Sequence, residues 1–361
     1  MQRVLVTGGA GFIGSNFVRH LLAARRDVHV VTYDLLTYAG SLENLRDLPE
    51  PARHTFVRGD VCDRAAVDAA LATHAIDTIV HFAAESHVDR SITGPAAFIH
   101  TNVTGTFTLL EAARAAGNLR FHQVSTDEVY GALAPDAPAV VEGAAYAPRS
   151  PYAASKAAAD HLVRAYHVTY GLPITISICS NNYGPYQFPE KLVPLMIVHG
   201  ALGKPLPVYG DGLQIRDWLH VDDHCAAILA ILERGAIGAT YHVGGGNQPT
   251  NLELVRALCA LLDERYPAGA PHARLITFVA DRLGHDRRYD LAIDHIAREL
   301  GWRPTHALAD GLRDTVAWYA ASGAWLAAIR DSDDYRRWLA LNYDQRSVSP
   351  SPSRASRGEE V

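Results

Sequence analysis

The stretch Val4-Leu5-Val6-Thr7-Gly8-Gly9-Ala10-Gly11-Phe12-Ile13-Gly14 decides the reading of this chain. An apolar, β-branched run reads as a short strand. The glycines after it satisfy both Gly-x-x-Gly-x-x-Gly (8, 11, 14) and Gly-x-Gly-x-x-Gly (9, 11, 14). In such a turn one glycine permits the tight bend, one lets backbone N–H groups close on a pyrophosphate, and one lets the next helix pack on the strand. A helix expected over 15–24 then turns its N-terminal donors toward that anion, with Phe12 and Ile13 inside the turn. A second strand pattern ends at Asp34, 20 residues past Gly14. A carboxylate there accepts from a ribose 2′-hydroxyl and repels a 2′-phosphate. No Arg or Lys stands at Leu35, Leu36 or Thr37. The spacing therefore predicts NAD, not NADP, as cofactor.

Outward from this stretch, β-branched runs at 28–34, 55–58, 78–82, 121–125 and 174–179 alternate with helical patterns. That alternation predicts an α/β fold, a Rossmann-type doubly wound parallel sheet, over a first portion spanning 1–180. Gly59-Asp60-Val61 follows the third strand, where an adenine edge lies in this topology, so Asp60 and Val61 join the cofactor candidates. Ala83 and Ala84 after the fourth strand are small enough for a backbone to press on the cofactor. Long helices expected over 96–116 and 152–170 are apolar on more than one face, which suits burial or packing against a second subunit. After about 181 the chain is punctuated by Gly184-Pro185, Pro189, Pro194, Gly203-Lys204-Pro205 and Gly210-Asp211-Gly212, with a helix over 252–266. This reads as a smaller C-terminal α/β portion over 181–345 that mainly binds substrate. Residues 346–361 are Ser-, Pro- and Arg-rich and read as a disordered tail.

Composition narrows the classes. With 361 residues, 48% of them hydrophobic, the chain buries a large core. A formal charge of -6 with mixed signs gives no basic stripe for nucleic acid. No apolar run approaches the roughly 20 residues of a membrane span. Cys62, Cys179, Cys225 and Cys259 are scattered without C-x-x-C spacing, which suits reduced thiols and a cytoplasmic setting. The 18 histidines form no H-E-x-x-H pattern, so no catalytic metal is expected.

The chemistry is concentrated in Ser125-Thr126-Asp127-Glu128-Val129-Tyr130-Gly131 and in Tyr152-x-x-x-Lys156. A hydroxyl, a phenol and an ammonium are the groups needed to take the proton of an alcohol while hydride leaves. Lys156 is expected to lower the phenol's pKa from about 10 and to hold the nicotinamide ribose. Asp127 and Glu128 form a second acid–base couple, in which proximity splits the two pKa values. Opposite states are expected, with Asp127 neutral and Glu128 ionised, the pair titrating as a unit.

These motifs resemble the extended short-chain dehydrogenases and, within them, the dTDP-glucose 4,6-dehydratases. The resemblance rests on TGGAGFIGS from Thr7, DLLTYAG from Asp34, HFAAESHVDRS from His81, STDEVYG from Ser125 and SPYAASKAAADHLVRAY from Ser150. It continues in SNNYGPYQFPEKLVPLMI from Ser180, LPVYGDGLQIRDWLHVDDH from Leu206 and DRLGHDRRYD from Asp281, covering about residues 1–320. It implies oxidation at sugar C4 with Thr126, Tyr152, Lys156 and NAD, removal of the C5 proton by Glu128, and protonation of the departing C6 hydroxyl by Asp127. Thr101 and Asn182 fall at family cofactor positions. Lys191, Leu192, Arg216, Asp281 and Arg282 fall at substrate positions with Asn181, Asn251 and His285. Pro207, Val208 and Tyr209 would flank the base, and Ser86 with Thr126 would meet the sugar. The implied partners are dTDP-glucose and a second copy of the chain, as a homodimer. Leu283 departs from the family's Pro at that position. A nucleotide-sugar 4-epimerase or UDP-glucuronate decarboxylase shares the glycines, Tyr and Lys but does not need the Asp-Glu pair. A non-catalytic NAD-sensing protein would not need Tyr152 and Lys156.

Overall fold

A computed structural model of the chain describes residues 1–330 and Arg336; the tail expected over 346–361 lies outside them. The strands are β1 (Arg3–Thr7), β2 (His29–Asp34), β3 (His54–Arg58), β4 (Thr78–His81), β5 (Arg120–Thr126), β6 (Ile174–Cys179), β7 (Asn181–Tyr183), β8 (Leu206–Tyr209), β9 (Trp218–His220), β10 (Thr240–Val243) and β11 (Ile276–Val279). Seven of them form one sheet in the order β10-β6-β5-β4-β1-β2-β3, every neighbour pair parallel. Side chains alternate across it as the two-residue period requires. Leu5, Val31 and Ile79 enter the core on one face. Val4, Val6, Val30 and Val80 enter the core on the other, against Phe17 and Leu21 of the helix Phe12–Ala24. Helices therefore cover both faces, as parallel sheets require. The strand order reverses between β1 and β4, and in such sheets ligands bind at the carboxyl ends beside that reversal.

The chain does not divide cleanly at residue 180. β10 returns to pair with β6, and Val221 and Ile228 of the helix Val221–Arg234 pack with Phe17 and Leu21. Without β10, β6 would be an open edge with unpaired backbone groups. The rest of the C-terminal half builds its own core from Val193, Met196, Leu254, Leu258, Leu312 and Trp325. Two short parallel pairs, β7 with β9 and β8 with β11, flank that core. Its helix Asn251–Arg265 opens with a capping box, in which Thr250 accepts from the Glu253 amide and Glu253 from the Thr250 amide. Such a cap contributes about 1 kcal/mol.

The helix expected over 96–116 runs from Pro95 to Ala115 with a π-helical segment, Ile99–Gly105, in its middle. The wider turn sets Asn102 inward. Its amide donates to the Glu85 carbonyl at 3.0 Å and to Ser155 Oγ at 2.8 Å, and its oxygen accepts from the Glu85 amide at 2.8 Å. Segments of this kind recur at functional sites. Here the turn ties the loop after β4 to the helix Pro151–Tyr170. That helix starts cleanly: Ser150 caps the Ala153 amide at 3.1 Å and Pro151 takes the first position.

Candidate active site

The glycine turn is built to accept something flat and anionic. Gly8 has φ +69°, and a Cβ there would lie 2.5 Å from the Ala83 amide nitrogen. A Cβ on Gly14 would run into the Gly8 carbonyl oxygen and stand 2.8 Å from the Gly9 Cα. The helix Phe12–Ala24 begins at Gly11 with no side-chain cap, so its first-turn amides are left for an anion. Asp34 closes the turn from β2: Oδ2 accepts from the Ala10 amide at 2.9 Å and Oδ1 from the Leu36 amide at 2.8 Å. Burial pushes this carboxyl up and the two amides pull against it. Tyr33 donates to the Asp60 carbonyl at 3.0 Å, Asp60 Oδ1 accepts from the Cys62 amide at 2.8 Å, and Val61 packs where a Cβ on Gly105 would be. Ala83 leans on Thr7 Oγ1, with Ala84 next to it and Thr101 in the π-helical segment. These groups fit a dinucleotide. Gly14→Ala is expected to destabilise the fold by about 1–3 kcal/mol through overpacking and to weaken NAD binding at least about tenfold, read by thermal melting and NAD titration.

The acid–base groups stand where β5 ends. Thr126 caps the short helical turn Asp127–Tyr130, its Oγ1 accepting from the Glu128 amide at 3.3 Å and standing 3.4 Å from Asp127 Oδ1. Asp127 is 4% exposed, and its Oδ2 has no hydrogen-bond partner among the described residues. Burial first, then the Glu128 charge, hold its carboxyl well above the usual range, against the opposing Arg216 guanidinium. This is the direction that a neutral Asp127 requires. Glu128 is half-buried and faces an open cleft.

Tyr152 and Lys156 project from successive turns of one helix face, both buried. Here the sequence expectation is reversed. The Tyr152 phenol is pushed above its ordinary value, by burial first and then by Glu128, with the Thr126 hydroxyl working against them. Lys156 spends its ammonium on the Val124 carbonyl, at 2.7 Å. Burial lowers its own pKa, against the Asp160 carboxylate. Desolvation outweighs the neighbouring charge that sequence spacing suggested.

Beyond Glu128 lies a cleft open to solvent, with about 970 Å³ of space inside it and across its mouth. Its walls bring together Asn181, Asn182, Lys191, Leu192, Pro207, Val208, Tyr209, Arg216, Asn251, Arg282 and His285, all singled out in the sequence. Ser86 stands behind, its carbonyl accepting from Lys191 Nζ at 2.8 Å. Asp281 braces the loop by accepting from His285 Nδ1 at 2.6 Å and Gln214 Nε2 at 3.1 Å. Arg216 is 5% exposed, its guanidinium donates among the described residues only to the Ile215 and Asp286 carbonyls, and it lies 4.3 Å from the Tyr289 ring centroid. Its charge is therefore free to act on an anion. Leu283, at the family's Pro position, is 77% exposed. His87, Asp89, Gln187 and Glu190 also line the cleft, and sequence reading missed them. The one signal was Glu190 itself, an acid next to the substrate candidate Lys191 in the Phe-Pro-Glu-Lys-Leu run.

A family model described as GDP-mannose 4,6 dehydratase matches residues 5–315. The dTDP-glucose 4,6-dehydratase of Shigella flexneri is 51% identical over 96% of this chain and 100% of its own length. The crystal structure of DesIV, a dTDP-glucose 4,6-dehydratase from Streptomyces venezuelae with NAD and TYD bound, superposes with TM-score 0.85 at 50% identity, covering 91% of this chain and 100% of that one. A Thermus thermophilus UDP-glucose 4-epimerase in complex with NAD shares the architecture at TM-score 0.80 but only 31% identity, covering 89% of this chain and 100% of that one. The glycine cradle, the Asp127–Glu128 pair behind Thr126 and these likenesses agree, and the chain belongs to the dTDP-glucose 4,6-dehydratase family.

Proposed function

We propose that this chain is a hydro-lyase that converts dTDP-glucose to dTDP-4-keto-6-deoxyglucose with NAD. The observation that carries the reading is the unequal carboxyl couple: Asp127 buried with its carboxyl pushed well up, Glu128 open to the cleft, and both charges acting on the Tyr152 phenol. A 4-epimerase needs no such couple.

Bound NAD supplies a hydride acceptor and donor with a positively charged nicotinamide ring, the counterweight to the burial and Glu128 charge that hold up the Tyr152 phenol. Tyr152 takes the proton of the C4 hydroxyl, and Thr126 hydrogen-bonds the same oxygen. The resulting C4 ketone acidifies C5–H. Glu128 removes that proton, and Asp127 gives its own to the departing C6 hydroxyl, so water leaves across C5–C6. Glu128 then returns a proton to C5, while the hydride removed from C4 would go back to C6. Lys156 anchors the end of β5 through the Val124 carbonyl and holds the nicotinamide ribose.

Lys191, Arg216 and Arg282 take the pyrophosphate, Asn181 and Asn251 add neutral donors, and Pro207, Val208 and Tyr209 flank the base. Gly8, Gly11, Phe12, Ile13 and Gly14 cradle the dinucleotide, Asp34 takes its ribose, and Asp60 and Val61 meet the adenine. In this assignment the portion over 1–180, completed by β10, holds NAD, and the portion over 181–345 mainly holds the nucleotide sugar. No helix among the described residues is long and apolar enough to cross a membrane, and the four free cysteines suit a cytoplasmic enzyme. Incubation with dTDP-glucose and with UDP-glucose, followed by the alkali-induced absorbance of the keto sugar, tests the reading. Product from dTDP-glucose supports it, and absence of keto sugar from both refutes it.

A homodimer belongs to the same proposal. Ile99, Phe107, Val168 and Tyr170 are exposed on the neighbouring helical stretches Ile99–Gly105, Thr106–Ala115 and Pro151–Tyr170, Val168 by 83%. Such a patch on paired helices suits a second copy. Light scattering is expected to give twice the chain mass of 39.2 kDa, and the double variant Phe107→Glu, Val168→Glu is expected to run as a monomer.

A further inference from the structure

One carboxyl in the cleft wall has no part in the chemistry above. The Glu190 side chain is 2% exposed. Its Oε1 accepts from the Tyr38 hydroxyl at 3.1 Å, while Oε2 has no hydrogen-bond partner among the described residues. Arg90 lies flat over Tyr38, its guanidinium carbon 3.6 Å from the ring centroid. Its Nε is likewise buried without a partner and stands 3.9 Å from Glu190 Oε2. His87 Nε2 is also 3.9 Å from that oxygen.

A donor and an acceptor are thus stripped of water and held too far apart to bond each other, an arrangement that costs free energy until both are satisfied. A hydroxyl group satisfies both at once, since it donates and accepts through one oxygen. A phosphate would meet the carboxylate as a like charge, and the cleft already offers Lys191, Arg216 and Arg282 to an anion. The reaction consumes the sugar at C4, C5 and C6, which leaves the C2 and C3 hydroxyls.

We propose that Glu190 and Arg90 form a sugar-hydroxyl subsite, Glu190 Oε2 accepting from and Arg90 Nε donating to the C2 or C3 hydroxyl of the hexose. The proposal rests on the reading of the cleft as a nucleotide-sugar site. It makes Glu190 a specificity-determining residue, positioned from the cofactor side by Tyr38. Tyr38 sits in the loop that leaves β2 after Asp34 and runs to Ser41, whose amide donates to the Ala10 carbonyl at 3.0 Å.

The test compares dTDP-glucose with its 2-deoxy and 3-deoxy analogues and with dTDP alone, in the wild-type enzyme and in Glu190→Gln. One deoxy analogue is expected to show a KM raised roughly 10- to 100-fold in the wild type. Glu190→Gln is expected to raise the KM of dTDP-glucose by a similar factor, with kcat changed far less. The same substitution should leave the KM of that deoxy analogue and the affinity for dTDP unchanged. Burial pushes Glu190 up to about 7, with Glu85 adding to the rise and Lys191, Arg90 and Tyr38 opposing it. His87 also faces it. The wild-type KM should therefore rise as pH falls through about 7, a limb absent from the Gln variant. If both analogues behave as dTDP-glucose does, or if Glu190→Gln shifts all substrates alike, a water molecule fills the gap and the proposal is overturned. If Glu190→Gln fails to fold, Arg90→Lys carries the same comparison. A wild-type enzyme that does not turn over dTDP-glucose at all would instead remove the functional reading beneath it.

Discussion

Glu128→Gln is expected to lower formation of the 4-keto-6-deoxy sugar by about 10²- to 10⁴-fold, the usual worth of a positioned proton-transfer group, while NAD and dTDP still bind. The amide keeps the shape of the side chain, and the Thr126 cap on the residue 128 amide, at 3.3 Å, is a backbone contact that survives. What is lost is the ability to take the C5 proton. Oxidation at C4 precedes that step, so the variant should build up reduced nicotinamide absorbance on mixing with dTDP-glucose and then stall. Removing the Glu128 charge also takes away one of the causes that push the Asp127 carboxyl and the Tyr152 phenol up. A fully active Gln variant would refute the assignment of the base.

Tyr152→Phe is expected to stop the reaction one step earlier, again by about 10²- to 10⁴-fold, with no reduced nicotinamide appearing at all. The ring keeps its place against Phe98, where the two centroids are 6.3 Å apart at 76°, so folding and melting temperature should stay near wild type. The pair of variants separates the two stages by one spectrum. Absorbance without product belongs to position 128, and neither absorbance nor product to position 152. Unimpaired build-up of reduced cofactor in Tyr152→Phe would count against the role given to the phenol.

The parts of the site legible in the sequence are those dictated by local geometry. The glycines at 8 and 14 were readable because only a residue without a Cβ avoids the Ala83 amide and the Gly8 carbonyl, and at Gly11 a Cβ would stand a tight 3.3 Å from that same carbonyl. Tyr152 and Lys156 were readable because four residues make one helix face. Other features depend on what the chain meets far away. β10 is four residues, Thr-Tyr-His-Val, and its polar His242 is fully buried with both ring nitrogens met from afar, Nε2 by the Tyr130 hydroxyl at 2.7 Å, 112 positions earlier, and Nδ1 by the Val140 carbonyl at 3.2 Å. Glu190 gains its place from Tyr38, 152 positions earlier. The direction of the Tyr152 shift was misread for a similar reason. Spacing names the nearby ammonium, whereas the amount of water excluded around the phenol is set by the whole fold.

The return of β10 to the large sheet bears on how such an enzyme changes its substrate. A sugar-recognising half that hung from the nucleotide-binding half by one linker could be inherited or exchanged as a cassette. Here the polypeptide is stitched back, with Thr240 to Val243 laid along Ile176 to Cys179. Exchanging the C-terminal half as a unit would strip β6 of that neighbour and leave an open sheet edge.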